Sequence, residues 1–93
     1  MEVIVEDNGR KGRFALYIDA SLVCEMTFVW SGSNKIIIDH TGIENGFNGK
    51  GYGNVLMAKA VEFARVKKIK ILPLCPFAKS RFDKDPSISD VLF

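Results

Sequence analysis

The sequence predicts an α+β domain: a mostly antiparallel five-stranded sheet, one central helix after a glycine-rich loop, and a short C-terminal helix. Three observations predict it. Four β-prone runs separated by turn-forming residues occupy the first half of the chain. Asn48-Gly49-Lys50-Gly51-Tyr52-Gly53 then opens an apolar-faced segment that reaches about Lys67. A last β-prone run, Ile69 to Leu74, is followed by Pro76, a residue suited to a first helical turn. The strand–helix–strand crossover gives the second half an α/β character.

In chain order, Val3-Ile4-Val5 is a short strand, broken by Asp7-Asn8-Gly9 and Gly12, which tolerate turn geometry. Phe14, Leu16 and Ile18 alternate with Ala15 and Tyr17, and Asp19-Ala20-Ser21 makes a close connection to the third run. There Leu22, Cys24, Met26, Phe28 and Trp30 share one face, and Val23, Glu25, Thr27 and Val29 the other. Cys24 thus reads as a small core hydrophobe. Ser31-Gly32-Ser33-Asn34 turns the chain into a fourth strand, Lys35 to Thr41, apolar on both faces at first. Such a strand calls for cover on both sides, so the long helix is expected on one face of the sheet and the short helix on the other.

Leu56, Ala60, Phe63 and Ala64 recur at helical spacing with Met57 and Val61, opposite Lys59, Glu62 and Arg65, in a helix starting at about Gly51. The fifth strand follows by a crossover and is therefore expected to run parallel to the fourth. Pro73 cannot donate to a ladder, so the two strands should diverge near it and leave a gap that admits a ligand. The second helix is expected from Phe77 to about Phe82, ended by Asp85-Pro86.

A chain of 93 residues has room for one core, so residues 1–93 are read as a single domain. Its formal charge of +2 is spread over interleaved acids and bases, which gives neither a nucleic-acid stripe nor a membrane-surface helix. The one cluster, Lys67-Lys68-Lys70, falls at a helix end, where cations complement the dipole. With no basic-then-apolar leader and no apolar run near ~18 residues, the protein is expected to be cytoplasmic. Cys24 and Cys75 are too few for a disulfide framework and lie in no metal-ligand spacing, so they are read as free thiols, with no metal site expected.

The chemistry is expected around the glycine loop. Its three glycines alternate with Lys50 and Tyr52, so backbone N–H groups can approach a bulky anion closely. A helix starting there aims its free N–H groups and positive dipole end into the loop, and Lys50 adds a mobile charge. The Walker pattern does not fit, because Glu44 and Gly51 stand where it has a glycine and a hydroxyl residue. The dinucleotide fingerprint does not fit either, because one residue rather than two separates Gly51 from Gly53. A plain tight turn feeding a helix is the structural alternative. The stretch does resemble the pyrophosphate loop of GNAT acyltransferases: Gln or Arg, two free positions, Gly, one free position, then Gly or Ala. Asn48 occupies the Gln/Arg position.

Two further residues could do chemistry. Cys75 is expected at the cap of the second helix, facing unpaired N–H groups with Lys79 and Arg81 about one turn on, conditions that favour a thiolate. His40 is the only histidine, a side-chain type suited to proton transfer. Both are placed at strand ends that the topology should bring together. Their structural alternatives are a packed cap and a hydrogen-bonded strand-end histidine.

Over nearly its whole length the chain is similar to the small single-domain GNAT-like N-acetyltransferases of the YjdJ type. The matching residues are Asp39-His40-Thr41, Gly49-Lys50-Gly51-Tyr52-Gly53, and Cys75-Pro76-Phe77-Ala78-Lys79 followed by Phe82 and Asp85-Pro86. Gly42 stands where that family often has Glu, and Arg81 where it often has an aromatic residue. The resemblance implies a GNAT-like acyl-CoA N-acyltransferase fold with acetyl-CoA as co-substrate. Coenzyme A would be held by Asn48, Gly49, Lys50, Gly51, Tyr52, Gly53, Asn54 and Lys79, with its pyrophosphate on the glycine loop. Its pantetheine arm would lie between the fourth and fifth strands, pairing with main-chain groups of Thr41, Gly42 and Ile43.

The activity implied is acetyl transfer to an amine acceptor, a peptide or protein amine or a polyamine, with Cys75 and His40 as catalytic residues. Cys75 would either take the acetyl group itself or act as acid or base. A second functional class stays open: a non-catalytic module that binds coenzyme A or a protein partner on a degenerate acyltransferase scaffold, since few residues are left to enclose an acceptor. The chain is expected to be a monomer or weak dimer.

Overall fold

The computed structural model describes residues 1–93. Strands β1 (Glu2–Asp7), β2 (Lys11–Ile18), β3 (Ser21–Trp30) and β4 (Lys35–Ile43) form a meander. Helix α1 (Tyr52–Lys67), strand β5 (Lys70–Pro73), helix α2 (Pro76–Lys84) and a 3₁₀ segment (Pro86–Val91) follow. The sheet order is β1-β2-β3-β4-β5, antiparallel except for the β4–β5 pair, which the crossover makes parallel. The first turn is closed by Asp7 and Asn8, whose side-chain oxygens accept from the N–H groups of Gly9, Arg10 and Lys11. Asp19 and Ala20 both adopt left-handed backbone, as a two-residue hairpin loop between right-twisted strands requires. No helix is long and apolar enough to cross a membrane.

The core lies on one face of the sheet. Register places Leu16, Cys24 and Ile43 in one row, Phe14, Met26 and Thr41 in the next, and sets Phe28 against Ile38 and Trp30 against Ile36. Leu56, Ala60 and Ala64 of α1 and Ala78 and Phe82 of α2 pack onto these residues in one cluster. Phe63 lies edge-on to Phe14, with centroids 5.4 Å apart, and 5.7 Å from Phe28. Each fully buried Leu, Ile or Phe there stabilises the fold by about 1.5–3 kcal/mol. The edge of β5 is covered by the C-terminal residues: Leu92 bridges Ile71, and the Phe93 N–H donates to the Ile71 carbonyl.

Both helices lie on this single face, which corrects the expectation of one helix on each side. Phe77 of α2 packs over Gly53 of α1, where a Cβ would stand 2.7 Å from the ring, and Arg81 Nη1 donates to Asn54 Oδ1 at 3.1 Å. The other face is open. Its apolar row, Val29, Ile37 and Leu72, is half-buried by neighbouring side chains rather than by a second layer. Beside that row lies a polar ladder in which Arg13 bridges Glu6 and Glu25 across three strands. Two smaller corrections concern boundaries. β4 continues past Thr41 to Ile43, with a bulge at Asp39, because Thr27 pairs with His40 and Phe28 with Ile38. The second helix is longer than expected at both ends, Pro76 to Lys84.

Candidate functional site

The parallel pairing of β4 with β5 ends at Ile38 and Pro73. The N–H groups of Leu74 and Cys75 both donate to the Ile38 carbonyl at 3.0 Å, which pins the chain as it turns into α2. β4 runs on to Ile43, paired only with β3. The strands part at Pro73, as its missing donor leads one to expect. Glu44 N–H donates to the Val23 carbonyl at 2.9 Å, toward β3. Main-chain groups alternate sides along a strand, so those of Ile43 and Thr41 face the gap while those of Gly42 face β3. A free strand edge of this kind can pair with the amides of an extended ligand.

The glycine loop lies just beyond. Gly49 and Gly51 have φ of 77° and 78°, a left-handed region in which side chains are strained. Gly51 is the N-cap of α1; it offers no side-chain cap, and the first turn holds no acid. Its carbonyl accepts from Asn54 and Val55, yet none of the N–H groups from Asn48 through Gly53 has a partner within the chain. A Cβ at Gly49 or Gly51 would meet nothing within 4 Å, so the loop borders open space. Lys50 is exposed there, and Tyr52 packs on Phe47 with centroids 6.1 Å apart, holding the loop to the helix. Unpaired donors, the positive end of a sixteen-residue helix and a free lysine fit a diphosphate. Gly53 serves packing instead, for it is buried and its missing side chain lets Phe77 dock.

Cys75 caps α2 and is 3% exposed. Its Sγ accepts the Ala78 N–H at 3.3 Å and lies 3.2 Å from Thr41 Oγ1. Thr41 sits in the row of Met26, on the helix-covered face. His40 is its neighbour in sequence and so points to the open face, where its ring lies across Gly42: a Cβ on Gly42 would stand 3.1 Å from Nε2. The structure therefore does not bring His40 and Cys75 side by side, which corrects the expected pairing. The β4 side chain that meets the thiol is Thr41, whose hydroxyl sequence reasoning overlooked; plain alternation from the buried Ile36 and Ile38 puts His40 on that face, and the bulge at Asp39 gives the place to Thr41 instead.

On the open face His40 and Glu44 line, with Leu22, Glu25 and Gly42, a cavity of about 200 Å³. The cations expected near the thiol are engaged elsewhere. Lys79 is exposed and ion-paired with Asp83 at 3.3 Å, and Arg81 bonds Asn54. Cys24 is an inert core thiol, its pKa pushed up chiefly by burial and secondarily by the Glu25 charge.

A sequence profile described as GCN5-related N-acetyl-transferase matches residues 13–91. This chain belongs to the GCN5-related N-acetyltransferase family. A Staphylococcus aureus protein solved by NMR, provisionally named a GCN5-like N-acetyltransferase, is similar at 31% identity and a TM-score of 0.71, over 97% of this chain and 87% of that one. Ribosomal-protein-alanine N-acetyltransferase from Brucella melitensis biovar Abortus 2308 shares the fold at 16% identity, with a TM-score of 0.69 over 84% of this chain and 64% of its own. Nourseothricin acetyltransferase shares it at 21% identity, with a TM-score of 0.62 over 84% and 50%. No curated protein sequence matches the chain. The fold and family expected from the sequence agree with these findings, and acetyl transfer from acetyl-CoA is the general chemistry of the family.

Proposed function

We propose that this domain moves the acetyl group of acetyl-CoA to an amine, holding the coenzyme diphosphate at the start of α1 and its arm along the free edge of β4. The observation that carries this reading is the run of unpartnered N–H groups from Asn48 through Gly53 at an uncapped helix start. Main-chain groups of Thr41 and Ile43 orient the arm, which leads its reactive end toward the start of α2.

The separation of His40 and Cys75 suggests two distinct proton transfers. His40, on the open face, takes the proton of an amine arriving from that side. The amine nitrogen forms a bond to the acetyl carbon as the carbon–sulfur bond of the thioester breaks. Cys75, on the helix side, gives its proton to the departing coenzyme thiolate, and solvent exchange resets both residues. Groups with separate roles should be closer to additive than a unit would be, so the double variant His40→Ala, Cys75→Ala should be worse than either single one.

A second reading has Cys75 carry the acetyl group itself. It is favoured by the place of Cys75 at the start of α2, toward which the coenzyme arm leads. Mass spectrometry after incubation with acetyl-CoA separates the two: a stable or chased acetyl group on Cys75 supports the carrier, and full turnover by Cys75→Ala excludes it. The acceptor is proposed to be a peptide or protein amine or a polyamine, as suits the open face. If the wild type acetylates none of these while still binding the coenzyme, a binding module is the better account.

A further inference from the structure

The chain has two threonines, and their hydroxyls are engaged differently. Thr27 Oγ1 donates to the Asp39 carboxylate at 2.6 Å, so its proton is committed. Thr41 Oγ1 has one partner in the chain, Cys75 Sγ at 3.2 Å, and either atom can donate in that contact. Sγ already accepts the Ala78 N–H at 3.3 Å. Only one proton can lie between Sγ and Oγ1, so the other has no acceptor within the chain. If the hydroxyl donates, the thiol proton is left unbonded on a residue only 3% exposed, and Oγ1 accepts from nothing. If the thiol donates, Oγ1 is satisfied, Sγ keeps the Ala78 N–H, and the hydroxyl proton is free on a half-buried residue. The second arrangement pairs more groups and leaves the stronger donor where a ligand or water can take it.

Thr41 also joins two parts of the site. Its main chain lies on the free edge of β4, where the coenzyme arm is proposed to pair, and its side chain ends at the thiol. A proton leaving the buried Sγ therefore has a hydroxyl on the side of the gap to pass through. We propose that Thr41 is a catalytic residue, a hydroxyl relay that carries the Cys75 proton to the coenzyme sulfur. This rests on the coenzyme reading given above and on Cys75 as its proton source. As the carbon–sulfur bond of the thioester breaks, its electron pair stays on the departing sulfur. That sulfur takes the Thr41 hydroxyl proton while the Thr41 oxygen takes the Cys75 proton, so an O–H and an S–H bond break and an S–H and an O–H bond form. Thr41 ends neutral, as it began, and the negative charge ends on Sγ, which keeps the Ala78 N–H as donor. Solvent exchange then restores the thiol proton.

The test measures single-turnover acetyl transfer to an amine that the wild type accepts, together with coenzyme A affinity by calorimetry. The proteins are the full chain as wild type, Thr41→Val, Thr41→Ser, Cys75→Ala and the double variant Thr41→Val, Cys75→Ala. Thr41→Val keeps the shape and removes the hydroxyl, so transfer should slow by about a hundredfold while affinity stays within about twofold. Thr41→Ser keeps the hydroxyl and should retain most of the rate. Two residues that pass one proton in series act as a unit, so the double variant should be no slower than the slower single one. In mixtures of light and heavy water the wild-type rate should follow a bowed curve, as two protons in motion require, and the Thr41→Val rate a straight line. Full rate in Thr41→Val, or a double variant far slower than either single one, overturns the relay and leaves the coenzyme reading standing. An affinity loss as large as the rate loss also overturns it, since Thr41 would then act by holding the site together. Coenzyme A bound by a wild type that acetylates no amine overturns the relay and leaves a binding module. A wild type that does not bind coenzyme A overturns the coenzyme reading and the relay with it.

Discussion

Helices α1 and α2 begin beside the same gap, and they begin differently. α1 starts at Gly51 in left-handed backbone, with no side-chain cap and no acid in its first turn. α2 starts at Cys75 in extended backbone, caps itself by accepting the Ala78 N–H on Sγ, and has Pro76, which has no N–H to leave unpaired, as its first residue. The 3₁₀ segment is closed in the ordinary way too, by the Asp85 carboxylate on Ser87 N–H. A missing cap costs about 1 kcal/mol. Two starts are satisfied from within and one is left open, and the open one is where the coenzyme diphosphate is proposed to bind. The closed start fixes a thiol, while the open one offers unpaired donors.

The contrast can be broken most severely at Gly51. Gly51→Val should lower coenzyme A affinity by about a hundredfold, because a branched side chain at φ 78° strains the turn and fills the space the diphosphate needs. The fold should survive a strain of roughly 1–2 kcal/mol. Unchanged affinity in a folded variant would move the phosphate site elsewhere. Gly53 sharpens the contrast, since its role is packing. Gly53→Ala puts a methyl 2.7 Å from the Phe77 ring and should cost about 1–3 kcal/mol in denaturant unfolding. At the closed start, Cys75→Ala should cost about 1 kcal/mol of stability and leave coenzyme affinity within about twofold, a split that calorimetry and urea melts would show.

The smallest effect concerns the third start. Asp85 has its pKa lowered from 3.8, first by the Ser87 hydroxyl and next by the Ser87 N–H. A carboxylate whose folded pKa is depressed contributes stability that is fully present above its unfolded value and is lost as pH falls through the folded one. Thermal melts of the wild type should therefore decline below about pH 4 slightly more steeply than those of Asp85→Asn. Superimposable profiles would show that this cap does not matter to the fold.

Much of this arrangement was legible in the residues. Turn chemistry and alternation marked out the four strands, the Leu56–Ala60–Phe63–Ala64 spacing gave α1, and the missing donor of Pro73 gave the gap. The side of the sheet chosen by α2 was not legible, because it depends on Phe77 meeting Gly53, a contact between residues 24 positions apart. Gly51 and Gly53 read alike in sequence, yet one serves a backbone angle and the other a packed ring. His40 and Thr41 are adjacent, and which of them faces Cys75 is fixed only when the register of β4 on β3 is known.

Everything proposed for the chemistry depends on the open start of α1 being the coenzyme site. An amide titration by NMR tests this most directly: on addition of coenzyme A, the N–H signals of Asn48 through Gly53 should show the largest shifts in the chain, saturating with the affinity seen by calorimetry. Loop amides that stay fixed while coenzyme A saturates a different set of residues would contradict it.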